Sequence, residues 1–164
     1  MPTAHLICGS TCAGKTTYAK ALADRLGGIR LSADEWMVNL FLPDRPEPMS
    51  VAWAIDRAAR CELQMWSVAD QLLGRRIDVV FDVGLSRREH RERFRSRATQ
   101  AGAKSKLHYL DVDCETRRQR ARLRNEDGGA KAPFIVTDAM FDWMDRSFEA
   151  PDDDELYGAM IVCS

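Results

Sequence analysis

Residues 9–16, GSTCAGKT, fit G-x-x-x-x-G-K-[ST] without a mismatch, directly after the apolar run AHLIC. No other feature limits the fold as tightly. The glycines let the backbone turn so that successive N–H groups converge on one anion, and a helix begun at the lysine adds its positive dipole end. Such a loop needs a strand before it and a helix after it. Both are readable here: 4–9 is a short apolar strand, and 15–26, KTTYAKALADRL, is a helix stopped by the Gly27-Gly28 pair. Average residue usage produces the pattern by chance in roughly one in 200 chains of this length, and the flanking elements make chance rarer still. The loop therefore reads as a nucleoside-triphosphate site. Gly9, Thr11, Cys12, Ala13, Gly14, Lys15, Thr16 and Thr17 would surround the phosphates, with Lys15 on the β- and γ-phosphates and the Thr16 hydroxyl on Mg²⁺.

The remaining chain alternates strand and helix. IRLS (29–32) is a strand, and Ser32 with Glu35 has capping-box spacing that opens a helix. Three prolines in 43–50 dictate a loop, and a helix over 51–73 ends at Gly74. RIDVVFDVG (76–84) is the most apolar strand, as one buried on both faces should be. Ser86 and Glu89 have capping-box spacing for a helix through residue 100. A strand at 106–112, a basic helix at 113–126, an amphipathic helix at 137–148 and a closing edge strand at 158–164 complete the chain. Five strands alternating with helices make a three-layer α/β domain on a parallel sheet, and 164 residues suit one such core.

Composition narrows the function class. A net charge of -1 sets aside a uniformly basic nucleic-acid binder. No apolar run approaches the roughly 18–20 residues that span a bilayer, and the start, MPTAHLICGS, lacks a secretory pattern. Five irregularly spaced cysteines read as reduced thiols, and Cys8 and Cys12 lack the second pair a zinc site needs. These features point to a cytoplasmic chain without membrane contact. His5, His90 and His108 are isolated in sequence and read as structural.

Several charged residues are candidates for chemistry. Asp34 stands just inside the helix after the second strand, and ligands of parallel sheets bind along the edge where strand C-termini meet. With one strand between, Asp34 would lie about 10 Å from the phosphate loop, at about 4.8 Å per strand. That gap fits an acceptor hydroxyl. Position alone equally allows Asp34 merely to complement the helix dipole. Asp82 closes the apolar strand and is a candidate Mg²⁺ ligand. The helix ETRRQRARLRNE and the glycine turn after it have the form of a lid over 117–132, from which arginines could reach a transferring phosphoryl group. The second basic helix, SRREHRERFRSRATQ, is either a solvated face on a thin Phe94–Ala98 stripe or a landing strip for a polyanion. Trp36 and Trp53 flank the proline-rich loop, as core or as walls of an acceptor pocket.

GSTCAGKT, LSADEW (31–36), VVFDVG (79–84), RRQRARLRN (117–125) and FEAPDDDEL (148–156) together resemble the small P-loop kinase-like ATPases. That group includes the zeta-toxin, chloramphenicol phosphotransferase and polynucleotide kinase relatives, often labelled AAA family ATPases. The resemblance implies a five-stranded sheet of order 2-3-1-4-5, Asp34 as base on an acceptor hydroxyl, and Arg120 and Arg124 as lid arginines. It implies ATP and Mg²⁺ and leaves the acceptor open. The expected activity is γ-phosphoryl transfer to a hydroxyl, on a small molecule in preference to a nucleic-acid end. A 5′-hydroxyl polynucleotide kinase and a regulatory ATPase without acceptor remain the alternatives, and oligomeric state is not readable.

Overall fold

The computed structural model describes residues 1–126 and 135–163. β1 (Thr3–Cys8) leads through the glycine loop into α1 (Lys15–Leu26), followed by β2 (Ile29–Ser32), α2 (Ala33–Leu40) and a 3-10 turn at Leu42–Asp44. Next come α3 (Val51–Gly74), β3 (Val79–Asp82), α4 (Arg88–Gln100), β4 (Lys104–Asp111), α5 (Cys114–Glu126), α6 (Asp138–Arg146), α7 (Asp153–Leu156) and β5 (Met160–Cys163). The five strands form one parallel sheet in the order β2-β3-β1-β4-β5, the order the resemblance implied. β3 therefore lies between β2 and β1, and the loops after those strands share one edge.

The alternation of side chains along the strands builds the layers. Ile7, Val80 and Leu110 face Ala19, Leu22 and Ala23 of α1 on one side. Leu6, Cys8 and Phe81 face Met65, Trp66 and Ala69 of α3 and Phe94 and Ala98 of α4 on the other. Trp66, Phe81 and Phe94 meet with ring centroids 4.6–5.2 Å apart, and such pairs add about 0.5–1.5 kcal/mol each beyond area burial. α5 and α6 hold a third cluster of Ala121, Val136 and Phe141. Among the described residues, no helix is long and apolar enough to cross a membrane.

Several local expectations need correction. β3 is shorter than 76–84 because Arg76 turns back with φ 63 and strand pairing begins only at Val79. The Ser86–Glu89 capping box does not form. α4 has Arg87 as N-cap with no side-chain cap, and the Glu149 carboxylate, 61 residues away, accepts from the Arg88 N–H at 2.9 Å. Ser32 does cap α2, accepting from the Glu35 N–H at 3.4 Å, while the Glu35 carboxylate turns to Arg30 and Lys20. The short α7 was not foreseen.

The histidines are not isolated either. His5 on β1 and His108 on β4 are buried with Nδ1 and Nε2 2.9 Å apart, and the Tyr18 hydroxyl lies 2.8 Å from His108 Nδ1. Burial, reinforced by charge on His5, pushes His108 down to about 4. The unfolded chain then binds more protons than the folded one between about pH 6.5 and 4. This contribution is complete above pH 6.5 and is lost as pH falls toward 4, on the order of 3 kcal/mol in all. Thermal melts should show His108→Gln losing less stability than wild type between pH 7 and pH 5.

Candidate active site

The glycine loop is shaped by close approach and backbone conformation. A Cβ on Gly9 would stand 3.0 Å from the Leu110 carbonyl oxygen, so the turn out of β1 passes close against β4 and a side chain there would crowd its backbone. Gly14 is the N-cap of α1 in the left-handed region, at φ 93, and no side chain caps the helix. The first N–H groups of α1 thus keep their donors for an anion. Lys15 Nζ donates to the carbonyls of Gly9 (2.9 Å) and Ser10 (2.8 Å), which holds the ammonium over the loop. Burial lowers the Lys15 pKa, opposed by negative charge at Asp82 first and also at Asp34. Thr16 and Thr17 are exposed on the first turn of α1, beside half-buried Thr11 and Cys12 and buried Ala13.

Two carboxylates stand on the same sheet edge. Asp82 ends β3, is buried, and registers with Ser32 at the end of β2. Asp34 follows in the first turn of α2, with β3 separating its strand from the loop. Asp34 is exposed on the first turn of α2, yet partial desolvation among its neighbours raises its pKa, Asp82 raises it further, and Lys15 and Arg124 pull it back. The structure thus brings Lys15, Asp34, Asp82 and Arg124 within electrostatic reach of one another.

The arginines of α5 divide into two groups. Arg117 is buried: its Nη1 lies 2.9 Å from Ser10 Oγ and 2.8 Å from Asp145 Oδ1, and its Nε donates to Val112 O. Arg118 pairs with Asp142 and lies over the Phe141 ring. These two fasten α6 to α5. Arg120 Nη1 lies 3.3 Å from the Ala13 carbonyl, and a Cβ on Gly14 would come 3.7 Å from that nitrogen. Arg124, one turn on, is exposed and acts electrostatically on Asp34. α5 thus runs from the glycine loop, at Arg120, to the field of Asp34, at Arg124. Of the lid expected over 117–132, residues 127–132 lie outside the described residues.

Two connections escaped the sequence reading. Ser10 Oγ donates to Asp145 Oδ1 at 3.0 Å, so α6 reaches the second residue of the loop. Arg30 on β2 bonds Asp82 directly. A charged residue in a short strand next to one ending in Asp was the available signal, but it required the β2–β3 register.

In α4, Arg91, Arg93 and Arg97 pair with Glu155, Glu62 and Asp70, Arg88 pairs with Asp152, and Arg95 donates to the Glu155 carbonyl. Trp36 packs against the core, and Arg57 lies over the Trp53 ring.

A family model described as an AAA domain, AAA_33, matches residues 5–151. The chain belongs to the AAA_33 family. No curated protein sequence matches it significantly. Solved structures share this AAA_33 chain's fold at low identity. A putative kinase from Chloroflexus aurantiacus is 18% identical with a TM-score of 0.74, covering 99% of this chain and 86% of that one. Chaetomium thermophilum Kti12 in complex with ADP-AlF3 is 16% identical with a TM-score of 0.71, covering 98% and 88%. The Mycobacterium tuberculosis APS kinase CysC, in complex with AMPPNP and APS, is 16% identical with a TM-score of 0.64, covering 99% and 88%.

Proposed function

We propose that this AAA_33 chain is a Mg²⁺-ATP-dependent phosphotransferase that moves the γ-phosphoryl group to a hydroxyl on a small molecule. The observation that carries the reading is the placement of Asp34 on the same sheet edge as Lys15, with β3 between their strands and each in the other's electrostatic field. A carboxylate there, its pKa raised by partial desolvation and by Asp82, is suited to take a proton. The kinase fold of the neighbours supports the reaction class.

The loop amides and Lys15 would bind the β- and γ-phosphates. Asp34 would accept the proton of the acceptor hydroxyl as its oxygen bonds the γ-phosphorus and the bond to the β-bridging oxygen breaks, releasing ADP. Arg120 and Arg124 would face the charge that spreads over the transferring oxygens. The Thr16 hydroxyl and the Asp82 carboxylate are hard oxygen donors beside Lys15, a set that fits Mg²⁺. When bound, Mg²⁺ would neutralise phosphate charge. The engagement of Arg88, Arg91, Arg93 and Arg97 of α4 in ion pairs favours a small acceptor over a polyanion.

Transfer of label from γ-labelled ATP tests the reading. The acceptor pools are nucleosides and nucleotide sugars, aminoglycosides and phenicols, 5′-hydroxyl oligonucleotides and a fractionated cell extract. Label on a small-molecule pool, little affected by salt, is the expected result. Steeply salt-dependent labelling of oligonucleotides would move the assignment to a nucleic-acid end. Label in inorganic phosphate alone would replace the kinase with a regulatory ATPase.

A further inference from the structure

The largely buried guanidinium of Arg30 sits between Asp82 on β3 and Glu35 on α2. β2 places Arg30 on the face covered by α1, in register with Val80 and two residues before Ser32, whose own partner is Asp82. From there Nη1 donates to Asp82 Oδ2 at 2.9 Å, and Nη2 bonds Glu35 Oε1, the residue next to Asp34 on α2. Lys20 of α1 closes the chain, 3.5 Å from the same Glu35 oxygen. The Arg30 side chain is 12% exposed and that of Asp82 6%, whereas Glu35 is half exposed. The Asp82 contact is therefore the desolvated one.

One arm of the planar guanidinium holds Asp82 Oδ2 while the other is anchored on Glu35, which restrains how the Asp82 carboxylate turns. The hydrogen bonds of the Lys15 ammonium go to the Gly9 and Ser10 carbonyls, whereas Arg30 is the residue that bonds Asp82. We infer that Arg30 is a positioning residue: it fixes Asp82 through one oxygen, leaving the other for the Mg²⁺ side, and through Glu35 ties that geometry to the helix carrying Asp34. Groups that orient a metal ligand in this way typically change metal affinity about 10–100-fold when removed. The inference rests on the nucleotide and Mg²⁺ part of the proposed function and not on any acceptor.

Binding of mant-ADP, measured in EDTA and across a Mg²⁺ titration, tests it without requiring turnover. Arg30→Gln should raise the Mg²⁺ concentration for half-maximal enhancement about tenfold or more, with affinity in EDTA held within about twofold. Lys20→Gln removes the same charge nearby without touching Asp82 and should shift neither quantity beyond about twofold. Arg30→Lys, which keeps the charge but not the fork, should fall between, and it carries the test if Arg30→Gln does not fold. An unshifted Mg²⁺ midpoint in Arg30→Gln, or equal weakening with and without Mg²⁺, overturns the inference alone. Wild type that binds mant-ADP equally well in EDTA and Mg²⁺ overturns it together with the metal half of the proposed function.

Discussion

Lys15→Ala is expected to lower phosphoryl transfer about 10²- to 10³-fold, the loss that follows removal of one donor aimed at developing charge. Two loop carbonyls fix the ammonium, and Asp82 and Asp34 supply the surrounding negative charge. The same residue should contribute little to stability. Burial disfavours its charged form, so the folded chain carries a desolvation cost at this position for the sake of the site. Single-turnover transfer and thermal melts on one preparation check both halves. Activity should collapse while the melting temperature stays level or rises.

The largest stability effect is expected at a different ion pair. Arg91 is fully buried, and Glu155 accepts from its Nε at 2.8 Å and its Nη2 at 2.7 Å. The remaining nitrogen, Nη1, donates to the carbonyls of Leu85 and Glu149. One side chain thus gathers the loop after β3, the segment after α6, and α7. Glu155→Ala leaves the guanidinium buried without its counter-charge, which typically costs about 3–5 kcal/mol. For a chain of this size that lowers the melting temperature by roughly 6–20 °C. The double variant Arg91→Met, Glu155→Leu should recover most of the loss, because an apolar pair of similar volume carries no desolvation cost. A double variant as unstable as Glu155→Ala would show that the hydrogen bonds to the carbonyls, rather than the unpaired charge, dominate.

Local patterns were legible in the sequence where neighbours along the chain decide them. The strand, glycine loop and helix at 4–26 follow from spacing alone, and the sheet order followed from the resemblance. The Phe94–Ala98 stripe of α4 was readable as its core face. Arg91 on the same helix was not, because a buried arginine becomes acceptable only through Glu155, 64 residues later. The Ser86–Glu89 expectation failed for a related reason: α4 starts with Arg87 as its N-cap, and a distant carboxylate, Glu149, accepts from the Arg88 N–H. Likewise Arg30 looks like an ordinary strand residue until the β2–β3 register places Asp82 beside it. The His5–His108 contact needs two adjacent strands 103 residues apart. In the site, Asp34 was visible in the first helical turn after β2 and Asp82 at the end of β3, whereas their shared field with Lys15 emerges only from the fold.

The most direct test of the kinase reading is the rate of label transfer from γ-labelled ATP to the accepted hydroxyl compound, compared between wild type and Asp34→Asn under conditions where both bind Mg-ADP. The account predicts transfer reduced about 10²- to 10⁴-fold, with nucleotide affinity unchanged, as expected when a general base is removed. Equal transfer by the two proteins would contradict Asp34 as the base. Equal release of inorganic phosphate, with no compound labelled by either, would contradict phosphotransfer itself.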